Sequence, residues 1–159
     1  AGVSMPYKTE VLNHVDVISD EVKEIGAANT IVNDDGKLTA YNTDTYSSSV
    51  LLSDAIKKLG HKKLVILGKG GYSKAVSYSA KKLGLTIEYV TRENWDTISD
   101  KRDKIIFNCT PVKNLQTVID SSCFFIDCCT STQTGSKLAR LQGEKQFELY
   151  TKIQLQTTK

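Results

Sequence analysis

The sequence predicts an α/β fold: a parallel sheet flanked by helices, with a partial smaller α/β lobe ahead of it. Three observations predict this. Short apolar runs alternate with helix-length segments from Lys62 onward, a glycine-rich loop joins the first run to a helical period, and residues 1–60 follow a different, hairpin-bearing pattern. A chain of 159 residues with 40% hydrophobic and 25% charged content is long enough to bury a core of its own.

The elements follow in order. Gly2 to Met5 reads as a short strand and Pro6 suits the first turn of a helix. Ser19-Asp20-Glu21 starts a helix that ends at Gly26. Ala28 to Asn33 and Lys37 to Tyr41 read as strands about Asp34-Asp35-Gly36, a tight-hairpin signal. A helix from about Thr45 stops at Gly60. These residues, 1–60, form the partial lobe. The opening strand has no upstream segment to pair with, so its partner is expected outside the chain, from an upstream segment or a second copy in a homo-oligomer.

Residues 61–135 form the second unit. Leu64 to Leu67 is a buried strand, and Ala75, Val76, Ser79, Ala80 and Leu83 keep helical spacing up to Gly84. Thr86 to Val90, Lys104 to Phe107 and Cys123 to Ile126 supply three more strands. The remaining residues, 136–159, hold a helix over about Ser136 to Gln154, with Leu138, Leu141, Lys145 and Leu149 on one face, packing back toward the first lobe.

Composition excludes several functions. A net charge of +3, with both signs mixed along the chain, gives no phosphate-backbone footprint, so nucleic acid is not an expected partner. No apolar run approaches the roughly 20 residues of a membrane span. Ala1 to Lys8 carries neither a basic n-region nor a long apolar run, which predicts a cytoplasmic chain. Cys109, Cys123, Cys128 and Cys129 form no CxxC and have no histidine at ligand spacing, so neither a metal site nor a disulfide framework is expected. His14 and His61 have no partner pattern.

Gly68-Lys69-Gly70-Gly71-Tyr72-Ser73 leaves a buried strand and opens a helix, the context of a Rossmann-like dinucleotide site. Glycines let backbone N–H groups approach a pyrophosphate. Thr91-Arg92-Glu93 ends the next strand, where the adenosine ribose lies in such folds. Arg92 suits the 2′-phosphate of NADP and Glu93 the free hydroxyl of NAD.

Several further motifs resemble the shikimate dehydrogenase family. Gly2-Val3-Ser4-Met5-Pro6-Tyr7-Lys8 is similar to its substrate-domain run ending in a catalytic lysine; Ile25-Gly26-Ala27-Ala28-Asn29-Thr30 and Tyr41-Asn42-Thr43-Asp44 are similar to its Gly-Ala-x-Asn-Thr and Asn-Thr-Asp motifs. Asn108-Cys109-Thr110-Pro111 resembles its Asn-x-Thr-Pro near the nicotinamide, and Leu141-Gln142-Gly143 with Gln146-Phe147-Glu148-Leu149 its closing helix. The family's upstream serine-bearing unit has no counterpart here, Lys69 replaces a small residue, and Thr130 stands where a tyrosine is common.

The resemblance implies NADP-dependent reversible reduction of 3-dehydroshikimate to shikimate, within chorismate and aromatic amino-acid biosynthesis. It implies Lys8 and Asp44 as catalytic groups, Ser4, Asn29 and Gln142 on a shikimate- or quinate-type small molecule, and Gly68, Lys69, Gly70, Gly71, Tyr72, Ser73, Thr91, Arg92, Asn108 and Thr110 on the cofactor. NADP is the expected cofactor, with NAD as the alternative. The competing expectation is a catalytically silent or truncated nucleotide-binding module of the same family.

Overall fold

The computed structural model describes residues 1–60 and 62–155. His61, the unit boundary set on it and the end of the last unit, 156–159, lie outside the described residues.

The first lobe is a three-stranded sheet. Strand β1 (Val17–Ile18) leads into helix α1 (Asp20–Ile25), and strands β2 (Thr30–Asp34) and β3 (Lys37–Tyr41) form the expected hairpin in the order β1-β3-β2. Ser19 caps α1 by accepting from the Val22 N–H, and Gly26 closes it at φ 66°. Asp35 and Gly36, at φ 51° and 91°, make the two-residue turn. Val22, Ala28, Ile31 and Ala40 fill the small core between helix and sheet.

Two expectations for the opening residues are corrected. Gly2 makes a single antiparallel bridge to Thr30 of β2 rather than forming a strand. The Ile31 N–H donates to Ala1 O and the Val3 N–H to Asn29 O, which fixes the segment along β2. Pro6 sits in a turn ahead of a 3-10 helix at Glu10–His14 instead of opening an α-helix. The two-residue β1, too short for any periodicity to show, was not expected; it pairs in parallel with β3.

Helix α2 (Asp44–Leu59), capped by Gly60 at φ 65°, leads to strand β4 (Lys63–Leu67), helix α3 (Gly71–Lys82) and strands β5 (Thr86–Val90), β6 (Ile105–Asn108) and β7 (Phe124–Asp127). All four strands are parallel, in the order β5-β4-β6-β7. Side chains alternate across this sheet. Leu64, Ile66, Ile105, Phe107 and Ile126 face α2, α3 and helix α4 (Gln133–Thr151), whereas Val65, Leu67 and Ile106 meet Val90, Ile98 and Leu115 on the other side. Only 3-10 segments, Arg92–Asp100 and Leu115–Thr117, cover that second side among the described residues.

The chain steps outward from β4 to β5 and then crosses back past β4 to β6. That reversal opens a crevice outside the carboxyl ends of β4 and β6. Helix α4 begins at Gln133 and ends at Thr151, not 136–154, because Thr132 accepts from the Gly135 N–H and Lys152 leaves the helix at φ 61°. It runs from β7 to β2, so it spans both lobes. Among the described residues no helix is long and apolar enough to cross a membrane.

Candidate active site at the carboxyl edge of the parallel sheet

A cleft of about 580 Å³ separates the lobes. Lys8 enters it from the turn after Pro6, with its carbonyl accepting from the Ala28 N–H at 2.7 Å. Asp44 is the first residue of α2. Its N–H donates to Asn42 Oδ1 at 3.1 Å and its carbonyl accepts from Ser47 and Ser48, which leaves the carboxylate facing the cleft. Lys8 Nζ donates to Asp44 Oδ2 at 2.5 Å, with 13% and 7% of the two side chains exposed. Thr43 is the N-cap residue of α2 and makes no side-chain cap bond.

Asn29 precedes β2 and is buried. Its Oδ1 accepts from the Thr43 N–H at 2.8 Å and from Thr30 Oγ1, while Nδ2 donates to Thr43 Oγ1 at 3.0 Å and Gln142 Oε1 at 3.4 Å. Gln142 therefore comes from α4 to meet both Asn29 and Thr43. Gln146, one turn further on, donates to Asn29 O and Thr30 Oγ1 and also lines the cleft. Its spacing of four from Gln142 was the signal available in the sequence. Ser4 is exposed at the rim.

The glycine loop forms the adjoining wall. Gly68 sits at φ 95°, where a Cβ would lie 2.8 Å from Thr110 Cγ2, so only glycine fits this approach. Gly70 precedes α3 and offers no side-chain cap, which leaves the first-turn N–H groups for an anion, and nothing lies within 4 Å of where its Cβ would stand. Gly70, Tyr72 and Thr110 line the cleft. Cys109, Cys128 and Ser47 line it too and were not expected there.

The remaining expected cofactor residues lie outside the cleft lining. Gly68 and Gly71 shape the loop, and Ser73 is buried and donates to Gly70 O at 2.7 Å, so its hydroxyl is turned into the loop. Lys69 is exposed, with Nζ 5.3 Å from the Tyr89 ring centroid. Thr91 is tied to Asn94 by its N–H at 2.7 Å, and Arg92 is exposed beyond β5. Asn108 is fully buried: Nδ2 donates to Asp127 Oδ1 at 3.0 Å, and Oδ1 accepts from the Thr110 N–H and hydroxyl. It holds Thr110 in place rather than facing the cleft.

Burial dominates the electrostatics of the floor. It pushes the Tyr72 phenol well above its ordinary value, with the Asp44 charge adding to the effect. The Cys109 thiol moves the same way, and Cys128 is pushed up to about 12 by burial and the neighbouring Cys129 and Asp127.

Residues 1–31, which include Ser4, Lys8 and Asn29, match the family model for the shikimate dehydrogenase substrate binding domain. Shikimate dehydrogenase (NADP(+)) of Clostridium beijerinckii is 34% identical over 127 residues, covering 70% of this chain and 47% of the relative. That of Ignicoccus hospitalis is 37% identical over 129 residues, with 70% and 48% covered. The chain belongs to the shikimate dehydrogenase family.

The fold agrees with solved shikimate dehydrogenases. The Aquifex aeolicus structure superposes with a TM-score of 0.76 at 23% identity, covering 98% of this chain and 73% of that one. The Thermus thermophilus enzyme, solved with NADP(H) and shikimate, gives 0.75 at 22%, covering 98% and 74%. A quinate dehydrogenase from Corynebacterium glutamicum, in complex with NAD, gives 0.73 at 18%, covering 96% and 72%. The chain spans about half the length of the C. beijerinckii and I. hospitalis relatives.

Proposed function

We propose that the cleft binds NADP and a shikimate-type substrate and carries the reversible reduction of 3-dehydroshikimate to shikimate, a step toward chorismate and the aromatic amino acids. One observation carries the proposal: the Lys8–Asp44 pair and the glycine loop line a single cleft side by side. The names of the sequence relatives and of the structures solved with NADP(H) and shikimate support it.

The residues present fit the cofactor. Uncapped N–H groups at the start of α3 suit the pyrophosphate, and exposed Arg92 suits the 2′-phosphate. When bound, NADPH supplies a hydride to the carbonyl carbon. Charge then develops on the carbonyl oxygen, and Lys8 Nζ holds the proton that neutralises it. Asp44 Oδ2 accepts from the ammonium and keeps it in place. Asn29 and Gln142 hydrogen-bond ring hydroxyls, the bound hydroxyl replacing the contact between Asn29 Nδ2 and Gln142 Oε1, with Ser4 at the rim. A set of polar groups that each need a partner rejects analogues lacking a hydroxyl. The four free cysteines suit a reducing compartment such as the cytoplasm.

Half-length coverage of the relatives favours a second reading, a nucleotide-binding module without turnover. Mixing the protein with NADP and shikimate at alkaline pH separates them. Growth of reduced-nicotinamide absorbance is the expected result; cofactor binding without that absorbance supports the silent module, and binding of neither ligand removes both.

A further inference from the structure

Tyr72 is the second residue of α3, where the glycine loop becomes helix, and it lines the cleft. Lys8 Nζ lies 5.3 Å from the Tyr72 ring centroid, inside the range over which a cation is drawn to an aromatic ring. The same ammonium is 2.5 Å from Asp44 Oδ2. The lysine stem is held as well: a Cβ at Gly71 would lie 3.3 Å from Lys8 Cβ and 3.8 Å from Cδ, so the loop backbone packs directly on it. The ring does not float, because it packs against the fully buried Phe107, tilted by 56° with centroids 6.1 Å apart.

We propose that Tyr72 is a positioning residue for Lys8, its ring and the Asp44 carboxylate together fixing the ammonium in the cleft. An ion pair alone leaves the ammonium free to swing about the carboxylate oxygen. A ring on the glycine-loop side removes that freedom. The phenol, pushed up by burial, stays neutral near neutral pH, so the ring faces the cation without a charge of its own to compete with Asp44. The contact also joins the lobes, since the lysine belongs to the first and the ring to the helix that follows the phosphate loop. The proposal rests on the dehydrogenase reading only for what Lys8 does there.

The test compares Tyr72→Phe with 3,4,5-trifluorophenylalanine at position 72, which keep the same ring shape but differ in the charge of its face. Acetylation of Lys8 by an N-hydroxysuccinimide ester at pH 8 is followed by mass spectrometry of the Lys8 peptide in the full chain. The fluorinated ring is expected to raise the acetylation rate about threefold or more over Tyr72→Phe, and Tyr72→Phe to stay near the unsubstituted rate. Equal rates in the two variants overturn the proposal, as does a rate in Tyr72→Phe that rises as far as in the fluorinated chain. Acetylation needs no turnover, so a protein silent toward shikimate still tests the contact.

Discussion

An ammonium and a carboxylate 2.5 Å apart with little exposure are each other's main compensation for lost water. Removing one of them is then more costly than removing both. Asp44→Asn is expected to lower unfolding stability by roughly 1–3 kcal/mol, and Lys8→Met added to it to recover at least part of the loss. Urea unfolding of the single and double variants checks this; a double variant weaker than the single one contradicts it. Arg92 is exposed beyond β5, so Arg92→Ala should weaken NADP binding by about 1.5–3 kcal/mol and leave NAD unchanged in a calorimetric titration. The residues of the site were legible because each sits in a short motif: Lys8 two positions after Pro6, Asn29 after Ala28, Asp44 after Thr43. Tyr72 as a cleft wall for Lys8 was not, because the contact joins positions 64 residues apart (72 − 8) and no local pattern encodes it.

Among elements, those with a cap or turn residue at each end were readable. Ser19 and Gly26 delimit α1, Asp35-Gly36 turns the hairpin, and Gly60 stops α2. Helix α4 was misplaced at its start because its apolar spacing begins only at Leu138. Its true start is set by tertiary bonds, with Thr134 Oγ1 accepting from the Asp127 N–H and Thr132 Oγ1 donating to Cys129 O. Gly135 shows how tight this corner is: a Cβ there would fall 1.9 Å from Cys129 O. Gly135→Ala must move the backbone of one element, and a loss of roughly 2–4 kcal/mol in denaturant unfolding is expected, whereas Gly143→Ala, with open space around it, should be neutral or slightly stabilising. Equal effects of the two would contradict the packing described for this corner.

For the whole molecule, the buried floor predicts the alkaline limit of stability. Tyr72, Cys109 and Cys128 all hold their protons more tightly folded than unfolded. Above the ordinary thiol range the unfolded chain loses protons that the folded chain keeps, so stability falls as pH rises, by up to about 1.4 kcal/mol per pH unit for each group. The slope should be absent near pH 7 and present from about pH 9 toward 12, the value for Cys128. Thermal melts from pH 7 to 10.5 check it, and Cys128→Ala should flatten the decline.

The two-lobe plan itself was legible, since the strand-loop-helix alternation and the hairpin carry their own periods. What joins the lobes, α4 with Gln142 and Gln146 reaching Asn29 and Thr30, is a matter of tertiary placement. The proposed chemistry depends on that closure bringing Lys8 to the cofactor side. Turnover of shikimate with NADP by the chain and by Lys8→Ala, with cofactor affinity measured in parallel, tests it most directly. A fall of roughly 10² to 10⁴ in kcat at unchanged cofactor affinity is predicted; equal turnover by the two proteins would contradict it.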